Sequence, residues 1–186
     1  MVPYVILGLP RCRTAWLARF LSTPERPCLH EPSRRYKDVE DLRAALADDA
    51  AAISDSMLTM RWRQILRWRP DCRIVVVHRP VSEVVTSAAW VGLAHPNFRP
   101  LLLSLTRRIA ELQAVGMVLS VPFASLAHEA VCGSVYEFCR QQPMSSSHWR
   151  FWAGTKVEAD VPQMLDEVAA NMAGIRATYP ELAAGA

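Results

Sequence analysis

Lysine is almost absent from this chain. Lys37 and Lys156 are the only two among 21 basic residues, so arginine carries nearly all the positive charge. The guanidinium is a planar fork of donors that suits phosphate and sulfate oxygens. An Ala- and Leu-rich chain also gathers arginine through composition bias, so composition alone does not assign a role. Cysteine is sparse and odd in number: Cys12, Cys28, Cys72, Cys132 and Cys139, with no C-x-x-C pair. That pattern supports neither a disulfide framework nor a zinc site, and a reducing cytoplasm is the expected setting. No apolar run approaches the length of a membrane span. The opening stretch Val2 to Gly8 has no basic region and is too short for a signal core. Internal repeats and linkers are also missing. With 186 residues, residues 1–186 are expected to form a single domain with a core large enough to need no metal or staple.

What is there reads as alternating strands and helices. Pro3 to Leu7 is a β-rich apolar run ending at Gly8, and Thr14 opens a helical pattern through Trp16, Leu17, Phe20 and Leu21. Cys28-Leu29-His30 is a short second strand. Asp38 to Asp48 is helical, Ala51 to Ser54 is a third strand, and Leu58 to Pro70 is helical again. In that last segment Arg61, Arg63, Arg67 and Arg69 interleave with Trp62 and Trp68. The apolar stripe of Leu58, Trp62, Ile65 and Leu66 favours a packed helix with its arginines in water over a nucleic-acid or membrane surface. Arg73 to Val77 is an unbroken β-branched run, as a central parallel strand should be. Pro80 suits the start of the helix Val81 to Trp90. A helix over Pro100 to Val115, a fifth strand over Met117 to Pro122, and helices over Ser125 to Arg140, Ser146 to Phe151 and Pro162 to Thr178 complete the reading. Residues Ala183 to Ala186 are expected to fray. Strand-turn-helix order of this kind predicts an α/β fold, a mostly parallel sheet of about five strands covered by helices. Ligands bind such sheets at the carboxyl ends of the strands. Three polar clusters fall there: Pro10 to Thr14, His30-Glu31, and His78-Arg79.

The first cluster, Gly8-Leu9-Pro10-Arg11-Cys12-Arg13-Thr14, leaves a strand and opens a helix. Free N–H groups and the positive end of the helix dipole make such a turn an anion site. Thr14 adds a hydroxyl, and Arg11 and Arg13 add charge-assisted donors. The turn is not a Walker A loop, because the second Gly and the Lys of G-x-x-x-x-G-K-[ST] are missing. Nor does Cys12 fit a phosphatase nucleophile, whose Arg follows six positions later, where this chain has Ala18. A thiol at a helix start beside two arginines is still expected to have some thiolate character.

Pro10-Arg11-Cys12-Arg13-Thr14-Ala15-Trp16 resembles the 5′-phosphosulfate loop of sulfotransferases that use 3′-phosphoadenylyl sulfate (PAPS) as donor. Cys12 stands where that loop usually has Ser, which removes a hydroxyl but keeps the backbone N–H. The family's second signature, an Arg after a central strand and a Ser about eight residues later, is matched by Arg79 and Ser87 in Val75-Val76-Val77-His78-Arg79-Pro80 and the helix that follows. Softer echoes are Cys28 to Pro32, where some members that modify proteins and sugars carry a catalytic Glu, Ser54-Asp55-Ser56, and His148-Trp149-Arg150. The Arg-Lys-Gly loop of cytosolic members is missing.

The resemblance implies a three-layer α/β/α, P-loop NTPase-like (sulfotransferase) fold. It implies that Pro10 to Trp16 with Arg79 and Ser87 hold the nucleotide, Arg79 and Ser87 at the 3′-phosphate. Arg11 would act on the sulfuryl group and bridging oxygen. Trp16 would lie against the adenine, with ordinary helix packing as its other role. Glu31 is the first choice for the base and His30 the second. The cationic loop should lower the pKa of Glu31 while burial raises it. The partners implied are the donor, its product adenosine 3′,5′-bisphosphate, and a hydroxyl or amine acceptor on a small molecule, sugar or peptide. No metal and no nucleic acid is implied. Two alternatives stay open: a P-loop kinase or other phosphotransferase, and a non-catalytic nucleotide-binding relative.

Overall fold

The computed structural model describes residues 1–93, 97–115 and 118–157, with isolated positions between 163 and 170. Its centre is the strand β1 (Tyr4–Gly8), whose five residues are all buried. Beside it lies β4 (Arg73–His78), with Ile74 to Val77 fully buried. Side chains buried on both faces explain why both segments read as continuous apolar runs. The sheet is completed by β2 (Leu29–His30), β3 (Ala52–Ser54) and β5 (Val118–Pro122), in the order β2-β3-β1-β4-β5. Every pairing in it is parallel.

Seven α-helices connect and cover the strands among the described residues: α1 (Thr14–Leu21), α2 (Val39–Leu46), α3 (Trp62–Trp68), α4 (Val81–Ala89), α5 (Phe98–Gln113), α6 (Glu129–Arg140) and α7 (Ser146–Ala153). The chain leaves β1 toward β2 in one direction and leaves β4 toward β5 in the other. Right-handed crossovers then place α1 on one face and the helices after β2, β3 and β4 on the opposite face. Accordingly α1 packs on α6, α2 on α3, and α4 on α5. The connections diverge between the adjacent strands β1 and β4. The crevice at their carboxyl ends is the topological switch point, where open α/β sheets bind ligands.

Beyond shifts of a residue or two at other element ends, three boundaries differ instructively from the sequence reading. The helix expected over Ser125 to Arg140 is two elements, a 3-10 turn Phe123–Ala127 and α6, separated by extended backbone at His128. The helix expected from Leu58 begins as a 3-10 turn, Met57–Arg61, because the Asp55 carboxylate accepts from the N–H groups of Met57 and Leu58 and draws the first turn tight. Helix α5 starts two residues earlier than expected, which puts Pro100 in its first turn, where a missing N–H costs nothing. The helix expected over Pro162 to Thr178 lies outside the described residues but for isolated positions, as do the last residues. Among the described residues no helix is long and apolar enough to cross a membrane.

The amino-end side of the sheet is closed by Arg26, 2% exposed. Its guanidinium donates to the carbonyls of Val2, Ala50 and Ala51 and lies 4.6 Å from the Tyr4 ring centroid. The opposite, carboxyl end is left for chemistry.

Candidate functional site

The turn after β1 is fixed before it offers anything to a ligand. The Gly8 N–H donates to the Thr59 hydroxyl at 3.2 Å, and that hydroxyl donates to the Gly8 carbonyl at 3.1 Å. A Cβ at Gly8 would stand 2.8 Å from the Val77 carbonyl oxygen, so close approach of β4 explains the glycine. Beyond it the backbone does something unexpected for non-glycine residues. Arg11 has φ 65° and Arg13 φ 61°, whereas Cys12 between them does not have positive φ. Alternation of this kind is the backbone pattern of a nest, in which successive N–H groups share one concave side. Arg13 precedes α1 and provides no side-chain cap, so its side chain takes none of the helix's first N–H groups. The Ser54 hydroxyl anchors the turn from below, donating to the Thr14 carbonyl at 2.8 Å.

The second cluster locks onto the first. One terminal nitrogen of Arg79, at the end of β4, donates to the Arg11 carbonyl at 2.7 Å. Arg11 Nε in turn donates to the Ser87 hydroxyl, on α4, at 3.3 Å. Arg79 also pairs with Glu83 at 3.3 Å. The two stretches singled out in the sequence, 68 residues apart, thus form one continuous polar wall. Phe123, at the start of the 3-10 turn after β5, supports it: the guanidiniums of Arg79 and Arg13 lie 4.1 and 5.2 Å from its ring centroid. Arg13 is held further by a 3.3 Å bond to the Leu126 carbonyl. Sequence reasoning missed Phe123, since an aromatic residue after a strand looks like core.

The third cluster stands across the opening. His30 Nε2 is 3.4 Å from the Thr14 hydroxyl and 3.9 Å from Glu31 Oε1. The Ser56 hydroxyl donates to Glu31 Oε1 at 3.1 Å, and Arg34 Nε lies 3.6 Å from Oε2. Burial, reinforced by Arg34, pulls the His30 imidazole down to about 4, so it is neutral at neutral pH. Burial also wins at Glu31: its carboxyl is raised above the ordinary glutamate value despite the Ser56 hydrogen bond and Arg34. Glu31 itself has φ 45°, another strained non-glycine position at the site.

The three clusters surround a cavity of about 550 Å³, within the range of small-molecule sites. Every residue expected at the site borders it except Cys12. That side chain is fully buried in the core, and burial pushes the thiol up to about 12. The expected thiolate character is therefore corrected: the two neighbouring guanidiniums point elsewhere, and desolvation decides. Trp16 is 7% exposed, stacks on Phe20 at 4.7 Å and meets Trp152 edge-on at 6.3 Å; only part of it reaches the cavity. Of the late echo, Trp149 borders the cavity while His148 is tied to the Phe20 carbonyl at 2.8 Å. Lys156, exposed, adds a cation to the cavity lining. It was visible in the sequence only as one of two lysines. A shallower groove of about 600 Å³ shares Arg11, Arg79 and Ser87 and runs along α4 to Trp90. Among the described residues no group of three His, Cys, Asp or Glu side chains is placed to hold a metal.

These features define a class: a parallel α/β protein with a cationic, arginine-bearing turn at its switch point and a partly buried carboxylate on the same cavity. The comparison with solved structures narrows the fold. The chain is similar to the sulfotransferase from Alicyclobacillus acidocaldarius, with a TM-score of 0.53, 14% identity, and coverage of 96% of this chain and 95% of that one. The fold is therefore the sulfotransferase fold. No protein-family model matches the sequence, and the search of curated proteins finds no match.

Proposed function

We propose that this protein is a sulfotransferase that moves a sulfuryl group from 3′-phosphoadenylyl sulfate to a hydroxyl or amine acceptor. The observation that carries the reading is the Arg79–Arg11–Ser87 link: two anion-binding stretches, distant in sequence, are hydrogen-bonded into one wall of a single cavity. A donor with phosphate groups at both ends of a nucleoside needs two such stretches. The cavity fits that need through its arginine donors and its nest of N–H groups, and the shared fold agrees.

Each residue then has a task. The nest at residues 11–14 and the Arg11 guanidinium receive the 5′-phosphosulfate, and Arg79 with Ser87 receive the 3′-phosphate. The acceptor atom bonds to sulfur as the bond between sulfur and the bridging oxygen breaks. The electron pair leaves on the 5′-phosphate, whose charge Arg11 and the N–H groups stabilise in place. Glu31 takes the acceptor's proton. Its raised pKa makes the ionised form a stronger base than an ordinary glutamate. His30, neutral at working pH, keeps the Thr14 hydroxyl oriented and adds no charge that would compete for the donor. Catalysis here is mainly positioning plus electrostatics, as in phosphoryl transfer.

Calorimetric titration with adenosine 3′,5′-bisphosphate tests the reading, with ATP·Mg²⁺ in parallel and Arg79→Ala as control. Micromolar bisphosphate affinity, weak ATP binding and a loss of about 30-fold or more in the variant are expected, since a charge-assisted pair to phosphate contributes about 2–3 kcal/mol. Absence of bisphosphate binding would sink the proposal, and firm ATP binding with phosphoryl transfer would replace it with a kinase.

A further inference from the structure

The base in the proposed reaction is held by groups that do not themselves border the cavity. Glu31 sits at a left-handed position that heads the 3-10 turn Pro32–Arg35. Its N–H donates to the Ser54 carbonyl at 2.8 Å, so the end of β3 fixes its backbone. Both carboxylate oxygens are then occupied from behind. Ser56, 2% exposed, donates to Oε1, and Arg34, with a side chain 13% exposed, faces Oε2. Arg34 Nε also donates to the Glu31 carbonyl at 3.2 Å, so it grips the same residue twice. The other end of that guanidinium meets a second carboxylate: Arg34 Nη1 lies 3.1 Å from Glu167 Oε2 as an ion pair without hydrogen-bond alignment, and Glu167 Oε1 is 3.3 Å from Arg35. A carboxylate from far along the chain therefore shares Arg34 with Glu31.

We propose that Ser56 and Arg34 are positioning residues that aim the Glu31 carboxylate at the cavity, and that Glu167 restrains Arg34 so that Glu31 is oriented without being neutralised. The inference rests on Glu31 being the base. An arginine free to close on Glu31 bidentately would make a strong fork-to-fork pair and turn the carboxylate from base into structural anion. With Glu167 holding its far side, Arg34 stands 3.6 Å off and offers Glu31 one nitrogen. Further charged or titratable groups near Glu31 are His30 on β2, the buried Asp55 after β3, and Arg11, Arg13, Arg79 and Lys156, which line the same cavity. Burial raises both carboxyls, and the Glu31 charge adds a smaller upward push at Asp55.

The arrangement makes signed predictions that a purely structural role does not. Ser56→Ala and Arg34→Gln each remove a group that favours the anion, so the Glu31 midpoint moves to higher pH. Glu167→Gln removes a competing negative charge and releases Arg34 toward Glu31, so the midpoint moves to lower pH. The test is a pH titration of the side-chain carboxyl carbon of Glu31 by ¹³C NMR on the full chain, with the signal assigned by its loss in Glu31→Gln. Shifts up, up and down are expected. Movement of Arg34→Gln and Glu167→Gln in the same direction, or no movement in any variant, overturns the proposal. Should Arg34→Gln fail to fold, the opposite signs of Ser56→Ala and Glu167→Gln still decide. Bisphosphate affinity is measured on the same samples and is expected to stay within about twofold, because a small rearrangement behind Glu31 leaves the donor contacts in place. If the wild type does not bind bisphosphate, the proposed function falls, while the carboxyl titration still judges the wiring.

Discussion

Cys12→Ser restores the residue usual in the sulfotransferase loop, and the structure predicts that it will do harm. The thiol is fully buried and does not reach the cavity. A hydroxyl there must find partners among core atoms. One is present, since the Leu9 backbone N–H faces the sulfur; the hydroxyl's own proton has none assigned. Leaving a buried polar group incompletely paired costs about 1–3 kcal/mol, and the Leu9 partner places this case in the lower half, about 1–2 kcal/mol. For a chain of this size that lowers Tm by about 2–8 °C. Ligand binding should not improve: bisphosphate affinity is expected to remain within about twofold, because the Cys12 side chain does not line the cavity. Thermal denaturation and calorimetry on the same preparation provide both numbers. A tenfold or greater gain in affinity with unchanged Tm would refute the placement of the side chain, and with it the account of the turn as a backbone nest. A parallel check uses native Cys12, which should resist thiol reagents at pH 8 until the protein unfolds, since burial holds it protonated.

Three further outcomes follow from the site. His30 is held neutral with its pKa pulled from 6.5 to about 4, so the native state binds fewer protons than the unfolded chain between those values. Its contribution is present above pH 6.5 and is lost as pH falls toward 4, by up to about 3 kcal/mol; His30→Gln should flatten that part of a denaturant-stability profile. Glu31→Gln should abolish transfer yet raise Tm at neutral pH, because it removes a buried carboxylate whose pKa is raised; a lower Tm would mean that Arg34 needs the charge. Gly8→Ala should cost about 1–3 kcal/mol and weaken bisphosphate binding, since its Cβ would press on the Val77 carbonyl and shift the anion turn; wild-type affinity in a folded variant would contradict the tight coupling of turn to sheet.

Much of the sheet could be read in advance, for a physical reason. Val5, Ile6 and Ile74 to Val77 are buried on both faces, and that demand writes itself into consecutive β-branched and aliphatic residues. The two polar stretches of the candidate site were likewise visible, because they follow those strands directly and carry arginine and hydroxyl residues. What the sequence hid was tertiary in origin. The helical pattern from Ser125 to Arg140 is continuous in residue type, so nothing local announces the extended backbone at His128. Phe123 and Lys156 acquire meaning only when the sheet order brings the segment after β5 beside Arg79 and the segment after α7 to the cavity rim.

The least legible feature is also the one most bound up with function. A tight turn with positive φ predicts glycine or asparagine, and here the residues are Arg11, Arg13 and Glu31. Glycine would remove the strain but also the guanidiniums and the carboxylate. The fold keeps the side chains and constrains the backbone from outside instead. Arg79 binds the Arg11 carbonyl, Ser54 binds the Thr14 carbonyl, Leu126 receives Arg13, and the end of β3 receives the Glu31 N–H. Each of those contacts spans a long stretch of chain, so no local sequence window contains both the strain and its compensation. Strain of this kind persists only where surrounding structure over-determines it. That three such residues ring one cavity is the strongest argument that the cavity is a built site rather than a gap between helices.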